Sequence, residues 1–284
     1  MIVTRVPEQE VKSFYEKYND DMTGVRYHSE YPMRAYAHRA RNEHLLQLLV
    51  PGQRMIEVGA GDGAFAVMAA KKGLTVVATD ISEPNIERMK RYVEEQGVSD
   101  KVTCVLASAD QLPYEDDSFD IVVASHVLEH VPDFDKALAE VRRVTRDKAL
   151  IALPTCMSPC AWVLLGAGGG WWYFGKRSIP SMIFGFSRVV FAFCTGKDWV
   201  DEGGYGGKKG IPHLWRFPGA MRRHLREGGF DVVLFGADSF PFPWVNGLVP
   251  ASRFLDRFRS APIMRNFGYG SHALLQKKMR GQAS

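Results

Sequence analysis

The sequence predicts an α/β fold built on a doubly wound, mostly parallel sheet. Three observations predict it. Residues 54–153 alternate short apolar runs with helical patterns, the signature of repeated βαβ units. A turn with Gly59, Gly61 and Ala64 in G-x-G-x-x-A spacing follows the first run, where such sheets hold ligands at a helix N-terminus. Asp80 closes the second run, at the strand end where these sheets present an acidic residue to a ribose.

Taken in order, RMIEVG is the first strand, and AFAVMAAKKG is a helix closed by Gly73. LTVVATD is the second strand. The helix in SEPNIERMKRYVEEQG starts with Ser82 as N-cap and Pro84 in its first turn. VTCVLAS and FDIVVASHVL are the third and fourth strands, and VLEH reads as the start of a further helix. DFDKALAEVRRVTR sets Phe134, Leu138, Val141 and Val144 on one face and leads into ALIALP as the fifth strand. The alternation resumes with the helix PGAMRRHLREGG, the strand FDVVLFG and the last strand GYGSHALLQKK. These boundaries give N-terminal helices (1–53), a nucleotide-binding half (54–154), an insertion (155–216) and a C-terminal half (217–284) with a second insertion at 239–267.

Composition narrows the function classes. The 284 residues suffice for a full core, and the formal charge of +4 is too small to imply nucleic acid without a clustered basic face. Its charged N-terminus lacks the apolar run of a secretory signal, so the expected location is cytoplasmic. Four scattered cysteines do not make a disulfide scaffold. Cys156 and Cys160 can meet one turn apart on a helix, but nothing nearby completes a four-ligand metal site, so no metal is expected.

Glu57 precedes the first glycine and Asp62 sits inside the turn. Both would repel a pyrophosphate but suit a cationic ligand without phosphates. Here the chain resembles the class I S-adenosylmethionine-dependent methyltransferases, through IEVGAGDG, Asp80 and ASADQLPYEDDSFDIVVASHVLEHVPD. The resemblance implies a Rossmann-like seven-stranded sheet with an antiparallel last strand, and S-adenosyl-L-methionine as cofactor. It implies that Glu57 orients the methionine amino group, that Gly59, Ala60, Gly61 and Gly63 let the backbone approach, and that Asp80 with Ile81 holds the ribose. Ser108 stands where many relatives carry an adenine-binding Asp, so that contact passes to the Ala109 backbone or Asp110, with Ser125 at the end of the fourth strand. Upstream, Tyr27, Tyr31 or Arg34 can reach the cofactor carboxylate from a covering segment; the other reading is a plain surface helix.

Methyl transfer is an in-line displacement that needs alignment and, for some acceptors, a base. His126 and His130, just after the fourth strand, and His213, in IPHLWRF, are the candidate bases. The alternative for His130 is packing against the cofactor loop. The insertion has no Asp or Glu between Lys148 and Lys197, yet it is rich in aromatic residues and glycine. It reads either as a membrane-touching lid or as a cap or dimer interface packed on its own aromatics. Trp171, Trp172 and Trp215 are the candidate contacts to a hydrophobic small-molecule or lipid-like acceptor, and the glycines of residues 201–210 read as a mobile connection. Oxygen or nitrogen is the favoured acceptor atom, with carbon open. The alternatives are a nicotinamide-dinucleotide oxidoreductase and a catalytically silent, membrane-associated interaction protein of the same fold. Monomer and homodimer are both compatible with the sequence.

Overall fold

The computed structural model describes residues 7–17, 22–167, 169–205, 208–209 and 211–278. Gly168 and parts of the glycine-rich 201–210 connection (206, 207 and 210) lie outside the described residues. Helices α1 (Glu8–Tyr15) and α2 (Pro32–Gln47) precede the sheet. Then come β1 (Arg54–Val58), α3 (Ala64–Lys71), β2 (Thr75–Asp80), α4 (Glu83–Glu95), β3 (Val102–Leu106), β4 (Phe119–Ser125), α5 (Phe134–Val144) and β5 (Thr145–Pro154). The insertion supplies α6 (Pro159–Leu165), α7 (Ser178–Cys194) and the short strands β6 (Trp199–Asp201), β7 (Gly204–Tyr205), β8 (Lys208–Lys209) and β9 (Leu214–Arg216). α8 (Pro218–Glu227), β10 (Phe230–Ala237), α9 (Val249–Leu255) and β11 (Gly270–Lys277) complete the chain.

Seven strands form one sheet in the order β10-β11-β5-β4-β1-β2-β3. Strands β1 to β5 pair in parallel, whereas β11 runs antiparallel to both β5 and β10. The strand order reverses between β1 and β4, and a crevice opens at their carboxyl ends. Helices cover both faces, so successive residues of one strand enter different cores: Met55 joins the cluster of Phe65 and Met89, and Ile56 joins that of Leu138 and Met221.

Local chemistry sets the ends of the elements. Ser82 accepts a hydrogen bond from the Asn85 amide and Asp133 from that of Lys136, each satisfying an otherwise unpaired N–H of a first helical turn. The structure departs from the sequence reading at VLEH: residues 127–132 are a turn, and α5 begins only at Phe134. Cys156 precedes α6 instead of sharing a helix with Cys160, because Ser158 caps that helix between them; both thiols are buried and reduced.

The insertion folds as a helical pair. A Cβ on Gly185 would lie 1.8 Å from the Trp162 carbonyl oxygen, and one on Gly166 1.9 Å from that of Ser181, so α6 and α7 meet backbone to backbone. α7 turns its small residues Ser178, Ser181, Gly185 and Ala192 inward and leaves Ile183, Phe184, Phe191 and Phe193 exposed. Among the described residues, no helix is long and apolar enough to cross a membrane. Gly185→Ala should force the pair apart and cost about 1–3 kcal/mol, read as a lower denaturation midpoint. An unchanged midpoint would show that the contact is not tight.

Candidate functional site

The crevice between β1 and β4 is a solvent-open cleft of about 1320 Å³. Its floor is the turn after β1. Gly59 has φ +68° and Gly61 φ +59°, left-handed conformations that glycine takes without steric cost. A Cβ on Gly59 would also meet Val127 Cγ2 at 2.4 Å. Asp80, at the end of β2, locks the turn: one carboxylate oxygen accepts from the Gly61 amide at 2.9 Å, and the other from the Ser82 amide at 2.9 Å and Asn85 Nδ2 at 3.0 Å.

Glu57 is held less fully, by a backbone hydrogen bond from Ala66. Its Oε2 is buried without a hydrogen-bond partner, and burial together with the nearby Asp62 charge pushes its pKa up to about 8. Asp62 behaves differently from the expectation that it waits for a cation, because its Oδ2 accepts from the Thr23 amide at 2.6 Å and the Thr23 hydroxyl at 2.8 Å. That pair fastens the N-terminal segment to the glycine turn.

Of the residues predicted to hold a cofactor, Glu57, Gly59, Ala60, Gly61, Asp80 and Ile81 line the cleft, as do Ser108, Ala109, Asp110 and Ser125. Gly63 stands just behind, as the N-cap of α3 with φ +81°. Ser108 donates to Asp110 at 2.8 Å, and Asp110 pairs with Lys136 at 3.0 Å, so the hydroxyl in place of a carboxylate helps to fix the loop. Tyr27 and Arg34 do not line the cleft. The Tyr27 hydroxyl accepts from Asn42 Nδ2 at 2.5 Å, and Arg34 lies over the Trp172 ring at 4.1 Å. Arg26, Arg41 and Asn42 line the cleft instead, with Val11 and Tyr15 of α1. α2 is no surface helix, since Ala37, Arg41 and Leu45 are all buried.

At the far end of the cleft, carboxylates and imidazoles alternate. His272 Nδ1 lies 3.0 Å from Asp238 Oδ1, His126 Nε2 lies 3.2 Å from Asp238 Oδ2, and His126 Nδ1 lies 3.4 Å from Glu129 Oε1. His130 follows: its ring stacks on His213 with centroids 4.7 Å apart, and His213 Nδ1 lies 2.5 Å from Glu202 Oε2. Burial opposes the charge on Glu129, yet His130 and His126 hold its carboxyl down at about 2. Burial lowers His130 to about 4. His126 borders the cleft with φ +55°, a left-handed non-glycine conformation that costs about 1–3 kcal/mol and that its two carboxylate neighbours sustain.

His126 and His130 therefore reach the cleft, whereas His213 stands one ring behind. The three tryptophans do not line it. Trp171 is fully buried against Tyr269, Trp172 carries Arg34, and Trp215 donates to Glu202 at 2.9 Å. Glu129, Asp238, Glu202 and His272 were missed as partners in sequence. Only the Glu-His pair of VLEH hinted at the first, because the others arrive from β10, β11 and the insertion.

Residues 56–153 match the family described as Methyltransferase domain. The chain is similar to a demethylmenaquinone methyltransferase of Clavibacter sepedonicus, 36% identical over 184 residues, covering 65% of this chain and 68% of that one. It also resembles a 27-O-demethylrifamycin SV methyltransferase of Amycolatopsis mediterranei, 36% identical over 103 residues, 36% of this chain and 38% of that one. The chain spans only 37–38% of the length of the first curated relatives it matches. Among solved structures, magnesium protoporphyrin IX methyltransferase from Synechocystis PCC 6803 with bound SAH shares the fold, at TM-score 0.58 and 12% identity over 95% of this chain and 99% of that one. Asp62→Ala should speed hydrogen exchange at the Thr23 amide by about tenfold or more, the worth of a charge-assisted bond. Exchange at the native rate would mean that other contacts hold the segment.

Proposed function

The chain belongs to the class I S-adenosylmethionine-dependent methyltransferases, and from that premise we propose that it methylates a hydrophobic small-molecule or lipid-like acceptor, at oxygen or nitrogen. One observation carries the reading: a single cleft joins Glu57, whose buried Oε2 has no hydrogen-bond partner, and Asp80 to the imidazoles of His126 and His130. The residues present fit the cofactor. A buried carboxyl oxygen without a donor calls for a cation, and Glu57 Oε2 would take the methionine ammonium. Arg26 and Arg41 border the same cleft and would take the methionine carboxylate. Asp80 keeps lone pairs for the ribose hydroxyls, and Ser108, Ala109 and Asp110 would flank the adenine.

When bound, the cofactor supplies an electrophilic methyl group on a sulfonium. This chain's own residues then align and shield. Tyr15, from α1, presents its ring to His130 with centroids 5.7 Å apart and narrows the entrance. His126 would take the acceptor's proton at Nδ1, with Glu129 as countercharge and Asp238 orienting the ring through Nε2. His213 would serve by positioning His130.

The relatives named above include enzymes of a demethylmenaquinone and of a rifamycin precursor, both small molecules, which supports an acceptor of that class. The exposed face of α7 supports a lipid-like one. Lys176 and Arg177 precede that helix, Lys197 follows it, and no acid stands between Lys148 and Lys197, so the face would rest on an anionic membrane surface.

Three measurements test this assignment. In titration calorimetry, S-adenosylmethionine should bind and NADH should not, and Asp80→Ala should weaken binding by at least about tenfold; NADH binding alone would reverse the assignment. Glu57, protonated at pH 7 with its pKa near 8, should ionise against the ligand ammonium. Binding should thus release up to one proton, and affinity should rise from pH 6 to 8 and level off above; identical heats in buffers of different ionisation enthalpy would refute the ammonium contact. Phe191→Ser with Phe193→Ser should reduce sedimentation with phosphatidylglycerol vesicles, while Trp172→Ser should not; equal sedimentation of all three proteins would remove the membrane face.

A further inference from the structure

We propose that Glu129, His130 and His213 bind a divalent transition-metal ion of the zinc type at the inner end of the cleft. One ligand atom from each of the three buried side chains lies within 4.8 Å of the others, a spacing that one ion can bridge. Two imidazoles and a carboxylate form the donor set preferred by zinc, cobalt and iron over magnesium or calcium. This triad is independent of the cysteine spacing, which pointed away from any metal.

The hydrogen bonding around the triad supplies the second argument. Both oxygens of Glu129 are buried; Oε1 meets imidazole nitrogens only at long range, 3.4 Å for His126 and 3.8 Å for His130, and Oε2 has no hydrogen-bond partner. A carboxylate in that state is costly unless a cation meets it. His130 Nδ1 donates to the Pro212 carbonyl at 2.9 Å, which places the ring's lone pair on Nε2, and Nε2 lies 3.8 Å from Glu129 Oε1. The Arg216 charge reaches Glu129 only through space: its Nε and Nη1 donate to no acceptor, and its guanidinium lies 3.8 Å over the Phe134 ring.

The surroundings match the outer partners of a ligating histidine. Metal-bound imidazoles give their second nitrogen to a carbonyl or a carboxylate, which fixes tautomer and ring direction. His130 has the Pro212 carbonyl, and His213 has Glu202, which also accepts from the Trp215 indole. His126 Nδ1, 3.4 Å from Glu129 Oε1, stands on the cleft side of the triad. The open coordination position thus faces the acceptor end. There the ion would make a bound hydroxyl more acidic, and this use rests on the methyl-transfer reading, whereas the binding of the ion does not.

The test uses the purified full chain, stripped with a chelator and dialysed against Co²⁺ or Zn²⁺ alone. The expected result is about one ion per chain by elemental analysis, with a Co²⁺ visible spectrum of low-coordinate nitrogen and oxygen ligation and no thiolate charge-transfer band. Glu129→Gln and His213→Ala should each weaken Co²⁺ binding by about tenfold or more, with circular dichroism melting as the check on folding. If a variant fails to fold, the Co²⁺ form of the native chain decides the matter, because a ligating His130 must show a paramagnetically shifted Nδ1 proton. Absence of stoichiometric metal, a thiolate band, full binding by folded variants or unshifted imidazole protons would each overturn the proposal. S-adenosylmethionine affinity, measured on the same samples, separates failure of the metal site from failure of the methyltransferase reading.

Discussion

The hydrogen bond from the Gly61 amide to the buried carboxylate of Asp80 is the contact on which the site's geometry depends. It ties the turn after β1 to the end of β2, and a charged acceptor makes it worth about 1.5–3 kcal/mol, roughly twice a neutral bond. With the turn held there, Glu57 stands at the mouth of β1, Gly59 lies against Val127, and Asp62, buried at the cleft, takes Thr23. The N-terminal helices are thus anchored through the same turn that forms the cleft floor.

Buried carboxylates around this cleft divide into two kinds. Asp80 and Asp238 are fully supported, the first by two amides and Asn85, the second by His126 and His272. Glu57 and Glu129 are not, and each retains at least one buried oxygen without a donor. Such atoms cost about 1–3 kcal/mol or more. Glu57 borders the cleft, and Glu129 lies behind the His126 and His130 that border it; on the proposals above each would be met by a cation.

Much of this was legible in the sequence because it is local. The glycine turn, Asp80 and the Ser108–Asp110 loop follow from spacings within single βα units, and the strand periodicity fixes which residues enter which core. The remainder depends on contacts between distant elements. Arg34 and Arg41 share a helix face seven residues apart, so about 10 Å separates them along the axis; only the later one reaches the cleft, while the earlier meets Trp172. Glu202 and His213 come to His130 through the insertion, whose path no periodicity encodes. The His126 backbone, with φ +55°, turns VLEH away from the helix its residues suggest, because Asp238 and Glu129 hold the ring from both sides.

The insertion misled most instructively. Its tryptophans look like the apolar contact surface, yet two are buried as framework, because the close approach of α6 and α7 through Gly166 and Gly185 builds a small core that large rings must fill from the sides. The same close approach requires small residues on the inner stripe of α7, and so displaces its phenylalanines outward. Phe184 and Phe191, seven residues apart, therefore share an exposed face with Ile183. Burying each such side chain is worth about 1.5–3 kcal/mol, so water is a poor partner for a helix with this inverted pattern. On the proposed reading, the apolar face bordered by Lys176, Arg177 and Lys197 would meet the boundary between acyl chains and anionic headgroups, and it belongs to the same insertion that carries His213.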